Sequence, residues 1–227
     1  MDKHYLTPLF APQTVAVFAG QHEDEGSQHS QAKALHEALR AQRFTGRLVF
    51  LDIQTSGTLA DLAQSRADLA IIALPQEDIR TALEVAGRMG CRSAMVISSG
   101  IGTELAAQLR TIAENAGMFL LGPNCLGIQR PALQLNASVA GPLARTGPLA
   151  LVSQSGALTA SILDWARNNA VGFSSVVSVG PNTAVDIAQV LDFLATDPQT
   201  HSIVVYLEGI SNARRFMSAL RSAANAK

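Results

Sequence analysis

Two short strings carry most of the chemistry this sequence could do. The first, Ser153-Gln154-Ser155-Gly156, closes an apolar run and opens a helical pattern. Serine at a helix start caps free amide groups, and the helix behind it turns its partial positive end toward the loop. Such a strand–turn–helix junction is a ready anion site. It lacks the Gly-x-Ser-x-Gly frame of a hydrolase elbow, and no motif supplies a histidine base, so a serine nucleophile is disfavoured. The second string is Gly122-Pro123-Asn124-Cys125-Leu126-Gly127. Its glycines and proline set a tight path directly after a strand. Asn124 can hydrogen-bond in both directions, and Cys125 falls at the carboxyl edge of a sheet. By composition alone the same string is a turn with a small buried cysteine. Both readings stay open.

Four weaker candidates stand beside these. Ser98-Ser99-Gly100 closes a strand and suits either a ligand rim or a plain helix entry capped by Thr103. Glu208, in Tyr206-Leu207-Glu208-Gly209, ends the last strand, where it is either a functional acid or a solvated carboxylate capping the next helix with Ser211. Gly20 follows the first strand, but the turn reads Gln21-His22-Glu23-Asp24-Glu25-Gly26-Ser27. Three carboxylates repel a pyrophosphate, although Gly26 and Ser27 can still open a helix whose amides face an anion. Asp52 follows the second strand and, without a glycine fingerprint, reads as a turn residue. His4, His22, His29, His36 and His201 show no metal-ligand spacing, so no metal is expected.

The elements that must position these residues alternate. Apolar runs at 14–19, 47–51, 68–74, 93–97 and 118–121 read as strands, and helical spacing marks 30–42, 77–89 and 103–115. Pro75 stops the third strand. Continuous apolar strands between helices predict a parallel sheet buried on both faces, with ligands beyond its carboxyl ends. A looser stretch at 130–147 reads as a linker, or a strand plus linker. Three more strands, at 149–152, 174–179 and 202–207, alternate with helices at 156–167, 186–194 and 212–224. Three strands are few for a doubly wound unit, which predicts a chain stopping inside a longer protein. The expected division is 1–140 and 146–227.

Composition narrows the class further. The 227 residues are 48% hydrophobic and 15% charged, which argues against disorder. A net charge of −1 offers no basic face for nucleic acid. Two cysteines make no disulfide framework, and a reducing cytoplasm is the simpler setting. Nothing predicts a signal peptide or a membrane span.

The order of the motifs resembles the nucleoside-diphosphate-forming acyl-CoA synthetases, including the alpha half of succinyl-CoA synthetase. Asp164-Trp165-Ala166 and Ala213-Arg214-Arg215-Phe216-Met217-Ser218-Ala219 pull the resemblance toward the synthetase-like region of bacterial Pat-type protein lysine acetyltransferases. It implies a Rossmann-like CoA-binding domain followed by a truncated flavodoxin-like parallel α/β domain. It further implies coenzyme A or acetyl-CoA at Gly20, Gly26, Ser27, Pro75, Ser98, Ser99, Gly100, Asn124 and Cys125. The phosphoryl group of a phosphohistidine would sit at Ser153, Ser155 and Gly156, with Glu208 steadying that histidine. Three departures matter. The phosphohistidine string would fall beyond Lys227. The glycine-rich CoA loop is eroded to Gly20-Gln21-His22-Glu23-Asp24-Glu25. A lysine in an Asn-Pro-Lys context is replaced by Asp52-Ile53-Gln54-Thr55. The last two weaken attraction for the CoA phosphates.

The expectation is therefore a non-catalytic, CoA- or acyl-CoA-binding regulatory region of a lysine acetyltransferase. Its partners would be small CoA species and downstream domains of the same parent, with homo-oligomerisation left open. The alternatives are the alpha-type portion of an active ADP-forming acyl-CoA ligase and a structural module without a ligand.

Overall fold

The computed structural model describes residues 4–19, 27–51, 66–181 and 184–227. Strands β1 (Thr14–Phe18), β2 (Arg47–Leu51), β3 (Leu69–Ile72), β4 (Ser93–Val96) and β5 (Phe119–Leu121) pair in parallel in the order β2-β1-β3-β4-β5. Successive side chains alternate between faces. Val15, Val17 and Ile71 enter one core, while Ala16, Phe18 and Ile72 enter the other. A short helix, α1 (Thr7–Phe10), and α2 (Ser27–Arg40) cover the first face. Helices α3 (Gln76–Arg88) and α4 (Thr103–Asn115) cover the second. Pro75 sits at the N-cap of α3, and Glu77 and Asp78 in its first turn complement the helix dipole. The strand order reverses between β1 and β3, which opens a crevice at their carboxyl ends.

The second sheet differs from expectation. Among the described residues it holds five strands rather than three and is mixed rather than parallel. Strand β6 (Gly127–Arg130), a 3₁₀ turn at Pro131–Leu133 and β7 (Leu135–Ser138) make an antiparallel hairpin. Strands β8 (Arg145–Ser153), β9 (Gly172–Ser178) and β10 (Ser202–Tyr206) are parallel, and β6 pairs antiparallel to β9. The order is β10-β8-β9-β6-β7. Residues 127–138 thus precede the 140/146 division read from the sequence, yet they are hydrogen-bonded into the second sheet. The stretch read as a linker, or a strand plus linker, carries the 3₁₀ turn, β7 and the start of β8. Gln129 in β6 and Asn136 in β7 are buried, and their side-chain nitrogens donate to carbonyls of the 141–142 turn.

Helix α5 (Gly156–Asn168) covers one face of this sheet through Leu163 and Ala166. Helices α6 (Ile187–Thr196) and α7 (Ala213–Ala226) cover the other. A capping box between Asp186 and Gln189 starts α6, and Asn212 caps α7. One apolar core runs from α1, α2 and β1 through the hairpin to α6. Phe10 stacks on Phe193 across this junction at 4.2 Å between ring centroids. His4 Nε2 meets Asp192 Oδ2 at 3.2 Å beside it. Among the described residues no helix is long and apolar enough to cross a membrane.

Candidate functional site

The carboxyl ends of the two sheets face the same turn. Residues 122–126 leave β5, and β6 begins at Gly127. Gly122 has φ 83°, and a Cβ there would lie 2.3 Å from the Val96 carbonyl oxygen, so only glycine fits. Asn124 has φ 60° and reaches back to the loop after β4. Its Nδ2 donates to Ile101 O at 2.8 Å, and its Oδ1 accepts from Ile101 N at 3.0 Å. The two-way bonding expected of this asparagine is directed at protein backbone.

Around the first crevice the expected residues separate into braces and rim. Ser98 is buried, and its hydroxyl both donates to Leu74 O at 2.7 Å and accepts from Leu74 N at 3.0 Å. It ties the ends of β3 and β4 together. Cys125 is buried, with Sγ 3.4 Å from Val96 O, and burial pushes its thiol up to about 12. The thiol is a core group at neutral pH. Pro75 is half-buried at the start of α3. Ser99 is half-buried too, with its N–H and hydroxyl each 3.3 Å from Gln31 Oε1 of α2. Gly100, exposed at φ 75°, completes the rim, and its carbonyl accepts from Gln76 Nε2. Ser27 opens α2 at this end of the sheet. Gly20 and Gly26 lie outside the described residues, as does Asp52.

The second crevice is built on the Ser153–Gly156 junction. Ser153 is buried, and its hydroxyl accepts from Ser155 N at 3.1 Å and donates to Ser155 O at 2.9 Å. Ser155 Oγ caps α5 by accepting from Leu158 N at 3.3 Å, a bond worth about 1 kcal/mol. Gly156 and Ala157 occupy the first two helical positions, where α-helix geometry leaves amides without intrahelical acceptors. The junction therefore presents N–H groups and the positive end of a helix. Glu208 is exposed in the loop after β10.

A cleft of about 680 Å³ lies beside this junction. Gln154, Gly180, Glu208 and Asn212 line one side, and Arg110 and Glu114 of α4 line the other. A helix of the first unit thus forms a wall of the second unit's site. Nothing local in the sequence marks Arg110 or Glu114, because polar positions on a helix carry no sign of a partner across the chain. Among the described residues no group of three or more His, Cys, Asp or Glu is placed to hold a metal ion.

The turn at 122–127 joins the two crevices. Leu126 N donates to Ser178 Oγ at 3.1 Å, at the end of β9. A Cβ on Gly156 would meet Leu126 Cγ at 3.1 Å. Gly180 has φ 69°, and a Cβ there would lie 2.6 Å from Asn124 O. Glycine at 180 lets the loop after β9 rest directly on the turn.

Two parallel-type carboxyl edges meeting at a shared turn define a two-domain α/β ligand-binding protein. Comparisons with known proteins give the class its content. Residues 48–131 match the family model described as a CoA binding domain, and residues 146–227 match that of a succinyl-CoA ligase like flavodoxin domain. The chain thus carries a Rossmann-like CoA-binding domain and a flavodoxin-like domain of the succinyl-CoA ligase type. The first match supports the cofactor expectation of coenzyme A. Among similar proteins is the ADP-forming acetate–CoA ligase I of Archaeoglobus fulgidus, 39% identical over 166 residues, covering 70% of this chain and 24% of that protein. Another is the alpha subunit of ADP-forming acetate–CoA ligase I from Pyrococcus furiosus, 36% identical over 166 residues, covering 70% of this chain and 36% of the subunit. The apo form of a dinucleotide-forming acetyl-coenzyme A synthetase 1 from Ca. Korarchaeum cryptofilum superposes with a TM-score of 0.84 at 28% identity, covering 98% of this chain and 50% of that one. The chain therefore spans half or less of the length of each of these relatives. The first two are ligases, and they favour the ligase alternative over the acetyltransferase reading.

Proposed function

We propose that this chain is the alpha-type, CoA-binding portion of an ADP-forming acyl-CoA ligase. The first crevice takes coenzyme A and the second takes a phosphoryl group. The observation that carries the reading is the shared turn: Asn124 and Leu126 bring a cofactor rim and an anion-binding helix start to opposite sides of one short loop. A ligase that joins CoA to an acyl group activated by phosphate needs those two sites adjacent.

The described residues fit such ligands. Gly100 has no side chain to block a phosphate-bearing group, Ser99 offers a hydroxyl, and α2 points its N-terminus toward the same end of the sheet. Ser98, Asn124 and Cys125 serve the first crevice by holding its loops. At the second crevice the amides of Gly156 and Ala157 face an anion, and Ser153 and Ser155 shape the turn that presents them. Glu208 supplies a carboxylate near them that can accept a hydrogen bond from a phosphate-carrying imidazole. Charge placement is the main contribution such a site makes to phosphoryl transfer.

Calorimetric titration of the purified chain with CoA and acetyl-CoA tests the first crevice. Binding is expected in the micromolar to low-millimolar range, weakened by the acidic run at 23–25. No heat at millimolar ligand rejects the reading in favour of a structural module.

A further inference from the structure

Gln154 does more than separate two serines. Its main-chain N–H donates to Tyr206 O at 3.2 Å, extending the β8–β10 ladder by one bond. Its side-chain oxygen then accepts from two consecutive N–H groups, Glu208 at 2.6 Å and Gly209 at 3.0 Å. Its side-chain nitrogen donates to Gly209 O at 3.0 Å. One amide group meets three main-chain groups of a loop that has already left the sheet.

Among the described residues little else holds that loop. Among the described residues β10 is an edge strand, so its outer side carries no ladder. Glu208, Gly209, Ile210 and Ser211 are all exposed, and a Cβ on Gly209 would touch nothing within 4 Å. The direction of the Glu208 carboxylate follows from the backbone angles at Glu208. The Gln154 bonds hold the N–H of that residue and both polar groups of the next. The residues flanking Gln154 belong to the anion turn, where Ser155 N donates to Ser153 Oγ at 3.1 Å.

We infer that Gln154 is a positioning residue, tying the backbone under Glu208 to the Ser153–Ser155 turn so that acid and anion site move as one body. This rests on the proposed roles of Glu208 and Ser155. An amide is suited to the task because it accepts and donates at once. Methionine matches its length and offers no comparable bond. Glutamate keeps an acceptor for both N–H groups and loses only the donor to Gly209 O.

The experiment is amide hydrogen exchange, residue by residue, on the 227-residue chain and its Gln154→Met and Gln154→Glu variants. In Gln154→Met the Glu208 and Gly209 amides are expected to exchange about tenfold faster or more, while the amides of β9 keep their rates. Gln154→Glu is expected to restore most of that protection. Unchanged exchange at Glu208 and Gly209 in the methionine variant overturns the assignment, and so does a loss that glutamate fails to restore. A parallel titration of the wild-type chain with inorganic phosphate, read at the Gly156 and Ala157 amides, separates the two claims. Silence there counts against the proposed phosphoryl site, whereas the exchange data alone decide the role of Gln154.

Discussion

The turn between the two crevices runs into β6, and β6 ends in a buried ion pair whose removal should loosen it. Arg130 and Asp197 are 4% and 5% exposed, with Nη1 2.7 Å from Oδ2. Arg130 also donates to Ser175 Oγ at 2.5 Å and to Gln199 Oε1 at 3.4 Å, and lies 5.8 Å from the centroid of the Phe193 ring. Asp197 accepts further bonds from Thr200 Oγ1 and Gln199 N. The pair clamps the hairpin to the end of α6. Asp197→Ala strands a guanidinium in the core, and breaking such a pair costs about 3–5 kcal/mol. At about 2–4 °C per kcal/mol for a chain of this size, the melting temperature falls by about 6–20 °C. Replacing both residues, as in Arg130→Met with Asp197→Leu, should recover most of the loss, since no charge is left buried. The pH dependence has a definite sign. Burial alone would raise the Asp197 carboxyl, but the hydrogen bond and charge of Arg130 overcome it and hold the group below its usual value. Its contribution is therefore complete above about pH 4, the unfolded value, and disappears as pH falls through the lower folded value. Urea unfolding followed by circular dichroism at pH 7 and across the acid range measures both effects. A loss below about 1 kcal/mol at pH 7, the figure for an exposed ion pair, would refute this account of the clamp.

Two further outcomes follow from the site. Gly180→Ala places a methyl group 2.6 Å from Asn124 O at φ 69°, so the loop after β9 must lift from the turn. The expected cost is about 1–3 kcal/mol in a urea melt, together with weaker CoA binding by calorimetry, and a variant as stable as wild type would mean the loop does not rest on the turn. Cys91 and Cys125 are both buried, with thiols pushed up to about 12 by burial. Neither should react with a disulfide reagent in the native chain at pH 8, and both should react in urea. Rapid native labelling of Cys125 would show that the 122–127 turn opens.

Much of the first unit was legible because its signals are local. Strand runs such as Leu69–Ile72 are apolar on both faces, and Gly90 and Gly117, at φ 78° and 68°, follow the ends of α3 and α4 as helix-stopping glycines do. The Ser155 cap was legible for the same reason, because a cap bonds within its own first turn. The hairpin at 127–138 was not. Its strands bury polar residues such as Gln129 and Asn136, and nothing local announces that their side-chain nitrogens donate to the 141–142 turn or that β6 pairs with β9, some fifty residues on.

The sequence by itself determined the alternating α/β class, the two strings at 122–127 and 153–156, and the capped helix start that follows the second. Each depends on residue type and short spacing. Only the tertiary structure decided what those strings face. It turned Cys125 and Ser98 into the core, set Arg110 and Glu114 against the second unit's cleft, and folded Gln154 over the loop that bears Glu208. The physical reason is the same in each case. Burial and hydrogen-bond partnership are set by segments distant in the chain, and a residue's own neighbours carry no record of them.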